Sequence, residues 1–276
     1  MLHELDKSQY GNLKHWFKQP EYARASAVVH FNRDGEVYAD RDRDPELVFV
    51  NTTNFSYIKG DLSRLKDSGD LRAAFDGIYL KDKTTSKRVI KIVTPSEEWV
   101  PAVEDMVKYK SPYIMPYFAY QCDKMTYDWK SRLPEGFKMV EFDSELIDNS
   151  TDEKIQDAKG LIERCYWNSR EKFFENSGGV CLMKGDTIVS YSFMFYNRGD
   201  DSYELSIVTD KDHRLKGFGA ITTAACAELA LDKAGTVRWI CKARNEASFK
   251  TAEKVGFKLV RAHDVIFLDL QEAGAK

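Results

Sequence analysis

The segment from residue 203 to residue 220 constrains the fold of this chain more than any other. Leu205 and Ile207 alternate with residues that would face the opposite side, and this period of two predicts a strand. A short charged loop follows, then Gly217 and Gly219, and behind them apolar residues recur at helical spacing. The two glycines are therefore predicted to lie where a strand passes into a helix.

A junction of this kind is suited to binding an anion. The first turn of a helix carries backbone N–H groups without partners and the positive end of the helix dipole. Gly217 and Gly219 have no Cβ, so a phosphate can approach the backbone closely, and Arg214 and Lys216 add positive charge. The plain alternative is a tight turn whose glycines serve conformation alone.

A second segment strengthens the anion-binding interpretation. A strand ends at Cys241, and a short helix follows with Asn245 as its N-cap and Gly256 just past its end. Together, Arg214-x-x-Gly-x-Gly-Ala and the segment from Asn245 to Lys254-x-Gly-Phe resemble the GNAT superfamily of N-acetyltransferases. The resemblance covers the C-terminal half of the chain.

The resemblance implies acetyl-CoA as co-substrate, and the spacing of the cysteines and histidines predicts no metal site. In the superfamily the glycine segment holds the pyrophosphate, the second segment lies along the pantetheine arm, and a backbone N–H polarises the thioester carbonyl, here near Val208. The acetyl-CoA contacts that it implies are Ile207, Val208, Thr209, Arg214, Leu215, Lys216, Gly217, Phe218, Gly219, Ala220, Asn245 and Ser248.

The resemblance also assigns the catalytic base. Glu204 matches the carboxylate that accepts the proton of the acceptor ammonium, and it is the only acidic side chain within its strand. An exposed charge at a strand end is the alternative. Many members carry a tyrosine that protonates the leaving thiolate, but the matching position here is Ala252. Ser248, Cys241, a water molecule or a group from the N-terminal domain are the alternatives for this role.

The predicted reaction is transfer of an acetyl group to an amine of a small molecule or a protein. A narrower resemblance, to zwittermicin-resistance acetyltransferases, points to an amine-bearing small molecule such as an antibiotic. A non-catalytic acyl-CoA-binding sensor is the alternative, and Ala252 favours it. A purely structural glycine turn is a third interpretation.

The length of 276 residues allows one large domain or two modest ones, and we predict two. We predict an N-terminal α/β domain over residues 1–132 and a GNAT-like domain over residues 133–276, a mixed twisted sheet covered by helices. The formal charge of −3 disfavours a nucleic-acid partner, and no apolar run is long enough to span a membrane. Without a signal peptide, the chain is expected in the cytoplasm, with its five cysteines reduced.

Four local predictions in the N-terminal part concern the fold. A first helix is predicted across Leu5, Leu13, Trp16 and Phe17, ending before Pro20. Asp61 can cap a second helix that contains Leu62, Leu65, Leu71 and Phe75. Residues 27–31 and 36–39 flank an Asp-Gly pair, which predicts a β-hairpin. Residues 110–133 are rich in aromatic side chains, which usually fill a core or a seam between domains. A substrate groove is the alternative for the aromatic stretch.

Overall fold

A computed structural model of the chain describes residues 2–52, 55–66, 89–107, 111–150, 153–165 and 170–269. The chain divides into two compact units. We call Met1–Tyr117 with Ala262–Lys276 the first unit, and Phe118–Arg261 the second unit. The predicted mixed α/β class is confirmed, because both units combine sheet strands with helices.

The strands of the described residues are β1 (His3–Glu4), β2 (Glu36–Ala39), β3 (Leu47–Asn51), β4 (Phe55–Gly60), β5 (Val89–Val93), β6 (Tyr113–Cys122), β7 (Phe137–Glu141), β8 (Ser177–Lys184), β9 (Thr187–Asn197), β10 (Ser202–Thr209), β11 (Val237–Lys242) and β12 (Lys258–Asp269). The α-helices are α1 (Ala23–Val29), α2 (Val100–Val107), α3 (Ser144–Asn149), α4 (Glu153–Cys165), α5 (Arg170–Asn176), α6 (Phe218–Ala234) and α7 (Glu246–Val255). Short 3-10 helices include Lys7–Leu13, Leu62–Lys66 and Glu97–Trp99.

In the first unit, strands β1 to β5 are neighbours in chain order, and β12 follows β5. Strand β3 is buried along its whole length, as expected for a central strand rich in valine and phenylalanine. Val103 and Val107 of α2 share a core with Ile90 and Ile92 of β5. This helix therefore covers one face of the sheet.

In the second unit the strand order is β6-β11-β10-β9-β8-β7. Strands β10 and β11 are parallel, and α6 connects them, as a parallel crossover requires. One face of the sheet shares a core with α6 and α7, through side chains such as Leu205 and Trp239. The other face places Phe193 and Phe195 in a core with Ile162 of α4 and Phe173 of α5.

Both units repeat one order of elements. Antiparallel strands lead to a parallel pair, which is β4 with β5 in the first unit and β10 with β11 in the second. A helix follows each pair, α2 or α7, and a long strand comes next, β6 or β12. Residues 118–122 of β6 belong to the second unit, whereas residues 262–269 of β12 belong to the first. Each unit is thus completed by a strand from the other half of the chain.

The sequence-based division between residues 132 and 133 falls inside the second unit. Tyr120, Cys122 and Tyr127 lie in the same core as helix α6. The indole of Trp129 donates a hydrogen bond of 3.0 Å to Glu228 on that helix. The described part of the aromatic stretch beyond residue 117 therefore belongs to the core of the second unit.

Three local predictions differ from the structure. Residues 27–29, predicted as a strand, end helix α1, because the run Ala-Arg-Ala-Ser-Ala favours a helix and the Asp-Gly turn only leads into β2. The first predicted helix is the 3-10 helix Lys7–Leu13, capped by Asp6. The helix predicted from residue 61 to residue 75 begins as Leu62–Lys66, and residues 67–75 lie outside the described residues.

Candidate active site

The central feature of the second unit is an opening between two parallel strands. Strand β10 pairs with β9 over its whole length, from Ser202 to Thr209. It pairs with β11 at only two positions, where Tyr203 faces Val237 and Glu204 faces Arg238. Both strands continue well past Glu204, so they separate there and leave a wedge-shaped opening.

Alternate residues of β10 turn their backbone groups towards this opening. The N–H of Tyr203 donates to the carbonyl of Thr236, on the β11 side. Because the N–H and C=O of every second residue point to the same edge of a strand, Leu205, Ile207 and Thr209 also point that way. Beyond Glu204 the backbone of β10 therefore faces the opening with groups that can pair with an extended ligand.

The intervening residues point to β9 and are held there. The Ser192 hydroxyl donates a hydrogen bond of 2.8 Å to the Ser206 carbonyl, and the Ser190 hydroxyl donates one of 3.0 Å to the Val208 carbonyl. The N–H groups that flank Val208, those of Ile207 and Thr209, are therefore the ones available for a thioester carbonyl. These side-chain bonds fix β10 on one edge and leave its other edge open.

The loop of residues 210–217, which we call the glycine loop, lies at one end of the opening. After β10 the chain makes a short 3-10 turn, and helix α6 begins at Phe218 with Gly217 as its N-cap. The helix is 17 residues long, so its first turn presents N–H groups and a positive dipole end. Leu215, in the loop before α6, is fully exposed and has a left-handed φ of 61°.

The two glycines, Gly217 and Gly219, are required for different structural reasons. Gly217 has a φ of 85°, and a Cβ there would meet nothing within 4 Å, so its requirement is conformational. A Cβ on Gly219 would lie 3.1 Å from Oγ1 of Thr209, so this glycine lets α6 pack closely on β10. Gly217 therefore shapes the turn before α6, and Gly219 sets the distance between helix and strand.

The two cations predicted for the loop lie beside it. The Arg214 Nε donates a hydrogen bond of 3.2 Å to the Thr209 carbonyl, at the edge of the opening. The Lys216 Nζ donates one of 2.9 Å to the Asp212 carbonyl. Both side chains are exposed and bonded to backbone oxygens, which a pyrophosphate can replace as the stronger acceptor.

Glu204 lies where the two strands part. Its side chain is 5% exposed, so the alternative of an exposed strand-end charge does not apply. It shares a face of the sheet with Ser206 and Val208, and Val208 is 40% exposed on that face. The carboxylate therefore lies in a protected position on a face that becomes accessible farther along the strand.

A polar network that the sequence did not predict lies next to Glu204. Arg238, opposite it on β11, is 7% exposed. Its guanidinium donates to Asp200 (2.7 Å), to the Ser202 hydroxyl (3.2 Å) and to Gln121 (3.2 Å). The signal in the sequence is Arg238 between the apolar residues Val237 and Trp239, which is typical of a buried ion pair.

The second motif begins where β11 ends. The Asn245 side chain caps α7 by accepting a hydrogen bond from the Ser248 N–H at 3.3 Å, as predicted from the sequence. The Ser248 hydroxyl accepts a hydrogen bond of 3.2 Å from the indole N–H of Trp239. Ala252, the position of the missing acid, is fully buried.

Burial has the same effect on two titratable groups near α7. Burial raises the pKa of the Cys241 thiol, although hydrogen bonds from Ser248 and Trp239 oppose the shift. Burial also raises the pKa of Tyr120, and the hydrogen bond of its hydroxyl to Glu253 raises it further. Both groups are therefore neutral at neutral pH.

The mixed α/β fold, with an opening between two parallel strands beside a helix N-terminus, is similar to that of solved GNAT proteins. A sequence model of the GNAT acetyltransferase family matches residues 14–266, so the chain belongs to this family. The match also covers most of the first unit, which the resemblance of the C-terminal half had not included. The family transfers acetyl groups from acetyl-CoA to amine acceptors.

Individual proteins resemble the chain over nearly its whole length. An uncharacterized N-acetyltransferase of Bacillus subtilis, YdfB, is 24% identical, and the match covers 97% of this chain and 98% of that protein. A GCN5-related N-acetyltransferase-like protein from Streptococcus suis has a TM-score of 0.68 at 19% identity, covering 95% and 98% of the two chains.

A tandem GNAT protein from the clavulanic acid biosynthesis pathway has a TM-score of 0.59 at 10% identity, covering 100% of this chain and 99% of that one. These structural likenesses concern the fold. None of them supports the alternative of a non-catalytic sensor.

Two further observations bear on cofactors and environment. Among the described residues, no group of three or more histidine, cysteine or acidic side chains is arranged to hold a metal ion. None of the described helices combines the length and apolarity needed to cross a membrane.

Proposed function

We propose that this protein is an N-acetyltransferase whose active site is the opening between β10 and β11. The observation that carries the proposal is the separation of these strands directly after Glu204, with the α6 N-terminus beside the opening. Acetyl-CoA supplies an activated acetyl group as a thioester. The chain supplies an anion site, an extended edge for the pantetheine arm and a buried carboxylate.

The residues fit the parts of acetyl-CoA in order along the opening. The first-turn N–H groups of α6, with Arg214 and Lys216, would hold the pyrophosphate. The free edge of β10, at Ile207 and Thr209, would pair with the pantetheine amides, with Asn245 and Ser248 on the other side. The Ile207 N–H is our choice for the group that polarises the thioester carbonyl, because it points into the opening beside Val208.

Glu204 is the proposed base. An acceptor ammonium must lose a proton before its nitrogen can attack the thioester, and a carboxylate at this position can accept it directly or through water. The nitrogen then forms the C–N bond while the C–S bond breaks, and the electron pair leaves on sulfur. Arg238, which lies opposite Glu204 on β11, forms an ion pair with Asp200 at 2.7 Å.

The acceptor is proposed to be an amine-bearing small molecule or a protein amine. The resemblance to zwittermicin-resistance acetyltransferases supports an antibiotic or a related amine. The clavulanic acid pathway named for one structural neighbour also concerns small molecules, although that likeness is of fold. The chain is further proposed to act in the cytoplasm.

The variant Glu204→Gln tests the catalytic assignment. The melting temperature should rise with acetyl-CoA to the same extent as in the natural protein, because binding to the folded state stabilises it and Glu204 does not hold the cofactor. CoA release with an amine found by screening should slow by about 10²-fold or more. Equal turnover would overturn the assignment, and no thermal shift in the natural protein would overturn the proposed function.

A further inference from the structure

A cleft of about 500 Å³ is formed by residues of the first unit alone. Its volume is within the range of sites that bind small molecules. One side comes from the 3-10 helix Lys7–Leu13 and the turn after it, and the other from the loop between β2 and β3. The residues that line the cleft are Asn12, His15, Trp16, Arg43, Asp44 and Pro45.

The loop between β2 and β3 is fixed by its own polar groups. Oδ1 of Asp40 accepts hydrogen bonds from the backbone N–H groups of Glu46 (2.9 Å) and Leu47 (3.1 Å). Nη2 of Arg41 forms an ion pair of 2.7 Å with Glu46. These bonds join the two ends of the loop, so the residues between them lie on a defined frame.

Arg43 and Asp44 differ from the other charged residues of this loop. Asp42, the residue before them, is hydrogen-bonded to the His3 ring at 2.6 Å. Within the part of the chain that the structure describes, the side chains of Arg43 and Asp44 form no hydrogen bond and no ion pair. An anion in the cleft would meet the Asp44 carboxylate, and a cation would meet the Arg43 guanidinium. The two charges together are complementary to a ligand that carries both signs.

Trp16 supplies apolar surface to the same cleft. It is half-buried, whereas Leu13 and Phe17, on either side of it in the chain, are each 1% exposed. The Lys59 ammonium donates a hydrogen bond to the Trp16 carbonyl, and the His15 ring lies edge-on to the indole at 6.4 Å. The indole is therefore held at the cleft by its surroundings, and part of its surface is accessible to an apolar or aromatic group.

We propose that this cleft binds a zwitterionic α-amino acid with an aromatic or large apolar side chain. The Arg43 guanidinium donates to the carboxylate of the ligand, Asp44 accepts from its ammonium group, and Trp16 packs on its side chain. The two charged groups of an α-amino acid are attached to one carbon atom, which matches their recognition by two consecutive residues. The inference does not rest on the proposed acetyl transfer, because every residue that lines the cleft belongs to the first unit.

Calorimetric titration of the natural protein with L-phenylalanine, without acetyl-CoA, tests the inference. The dissociation constant should be below about 1 mM. Phenethylamine lacks the carboxylate and 3-phenylpropionate lacks the ammonium group, so each leaves one charge of the cleft unpaired and should bind at least about tenfold more weakly. Glycine lacks the ring and should also bind more weakly. No binding of phenylalanine up to about 10 mM, or equal binding of any of the three analogues, would overturn the inference.

Matched variants place the ligand in the cleft. Asp44→Asn removes the charge and suits the left-handed φ of 47° at this position, so the loop should keep its shape. Asp44→Asn and Arg43→Gln should each weaken phenylalanine binding by about tenfold or more. Asp42→Asn is the control, because it removes the same charge from a side chain of the same loop that does not line the cleft, and it should leave the affinity unchanged. Heat that phenethylamine still produces with Asp44→Asn belongs to other sites and is subtracted.

Trp16→Phe keeps a ring in the cleft and removes the fluorophore. The change in tryptophan fluorescence on binding should disappear in this variant, while most of the calorimetric affinity remains. A fluorescence change that persists would place the ligand beside another tryptophan and overturn the inference. If Trp16→Phe does not fold, the charge variants still decide.

Three results with the charge variants contradict a site in the cleft. One is unchanged affinity for phenylalanine in both Asp44→Asn and Arg43→Gln. Another is an equal loss in Asp42→Asn. The third is loss of binding in Glu204→Gln, which would place the amino acid in the opening of the second unit. Failure of acetyl-CoA to raise the melting temperature would instead refute the proposed function and leave this inference standing.

Discussion

The packing of α6 on β10 can be tested through one glycine and one threonine. Replacing Gly219 by alanine places a Cβ 3.1 Å from Oγ1 of Thr209, closer than ordinary van der Waals contact. The exchange improves the helix propensity by about 1 kcal/mol. Overpacking costs about 1 to 3 kcal/mol. We therefore expect Gly219→Ala to lower the free energy of unfolding by about 1 kcal/mol.

The sign should reverse when the threonine is shortened. Thr209→Ala removes the oxygen and also its 3.0 Å hydrogen bond with Ser190, so alone it should cost about 1 kcal/mol. In that background Gly219→Ala keeps its propensity gain without the crowding and should stabilise by about 0.5 to 1 kcal/mol. The coupling energy between the two positions should therefore be about 1 to 3 kcal/mol.

Urea unfolding of the four proteins measures this cycle. The comparison is valid where the dependence of the unfolding free energy on urea is the same in all four. Additive effects, within about 0.5 kcal/mol, would refute the explanation of Gly219 by helix–strand packing. Such a result would leave close approach of a ligand as the reason for this glycine.

Two further predictions concern the helix ends and the thiols. Gly217→Ala and Gly235→Ala both place a side chain at a left-handed φ (85° and 69°) with open space around it, so each should lower the free energy of unfolding by about 1 kcal/mol. Only Gly217→Ala should weaken acetyl-CoA binding in a calorimetric titration. Equal affinities of the two variants would refute the assignment of the loop at Gly217 to the pyrophosphate. Burial raises the pKa of Cys181 and Cys226 to about 12, so a thiol reagent at pH 8 should modify them only after unfolding, as peptide mapping would show. Because these thiols ionise more readily in the unfolded chain, the free energy of unfolding should fall as pH rises from about 9 towards 12. Rapid labelling of Cys181 and Cys226 in the folded protein would contradict their burial and the pKa shifts that it causes.

Local signals in the sequence predicted the centre of the second unit. The alternation in β10, the two glycines and the Asn245 cap each depend on neighbours within a few residues, and the structure has the strand, the turn and the helix in that order. Where local preference was ambiguous, as in the alanine and valine run of α1, the strand prediction was wrong. Composition alone does not separate a short buried helix from a buried strand.

The extent of the units could not be predicted in this way. Strands β6 and β12 each have residues in both units, so each unit includes sequence from both halves of the chain. Strand pairing between distant segments leaves no mark on local periodicity, so the boundary predicted between residues 132 and 133 could not take it into account. The repeated element order of the two units becomes visible only from the pairing.

The sequence motif and the folded structure give different information about which groups could stabilise the leaving CoA thiolate. The sequence showed that Ala252 cannot protonate a thiolate, and it left several groups as alternatives. The structure adds that Ser248 lies one turn earlier on the same helix face, and that Trp239, from another element, donates to its oxygen. A serine hydroxyl can donate a hydrogen bond to negative charge on sulfur without being a strong acid. Loss of the tyrosine is therefore compatible with catalysis, and it is weak support for a non-catalytic sensor.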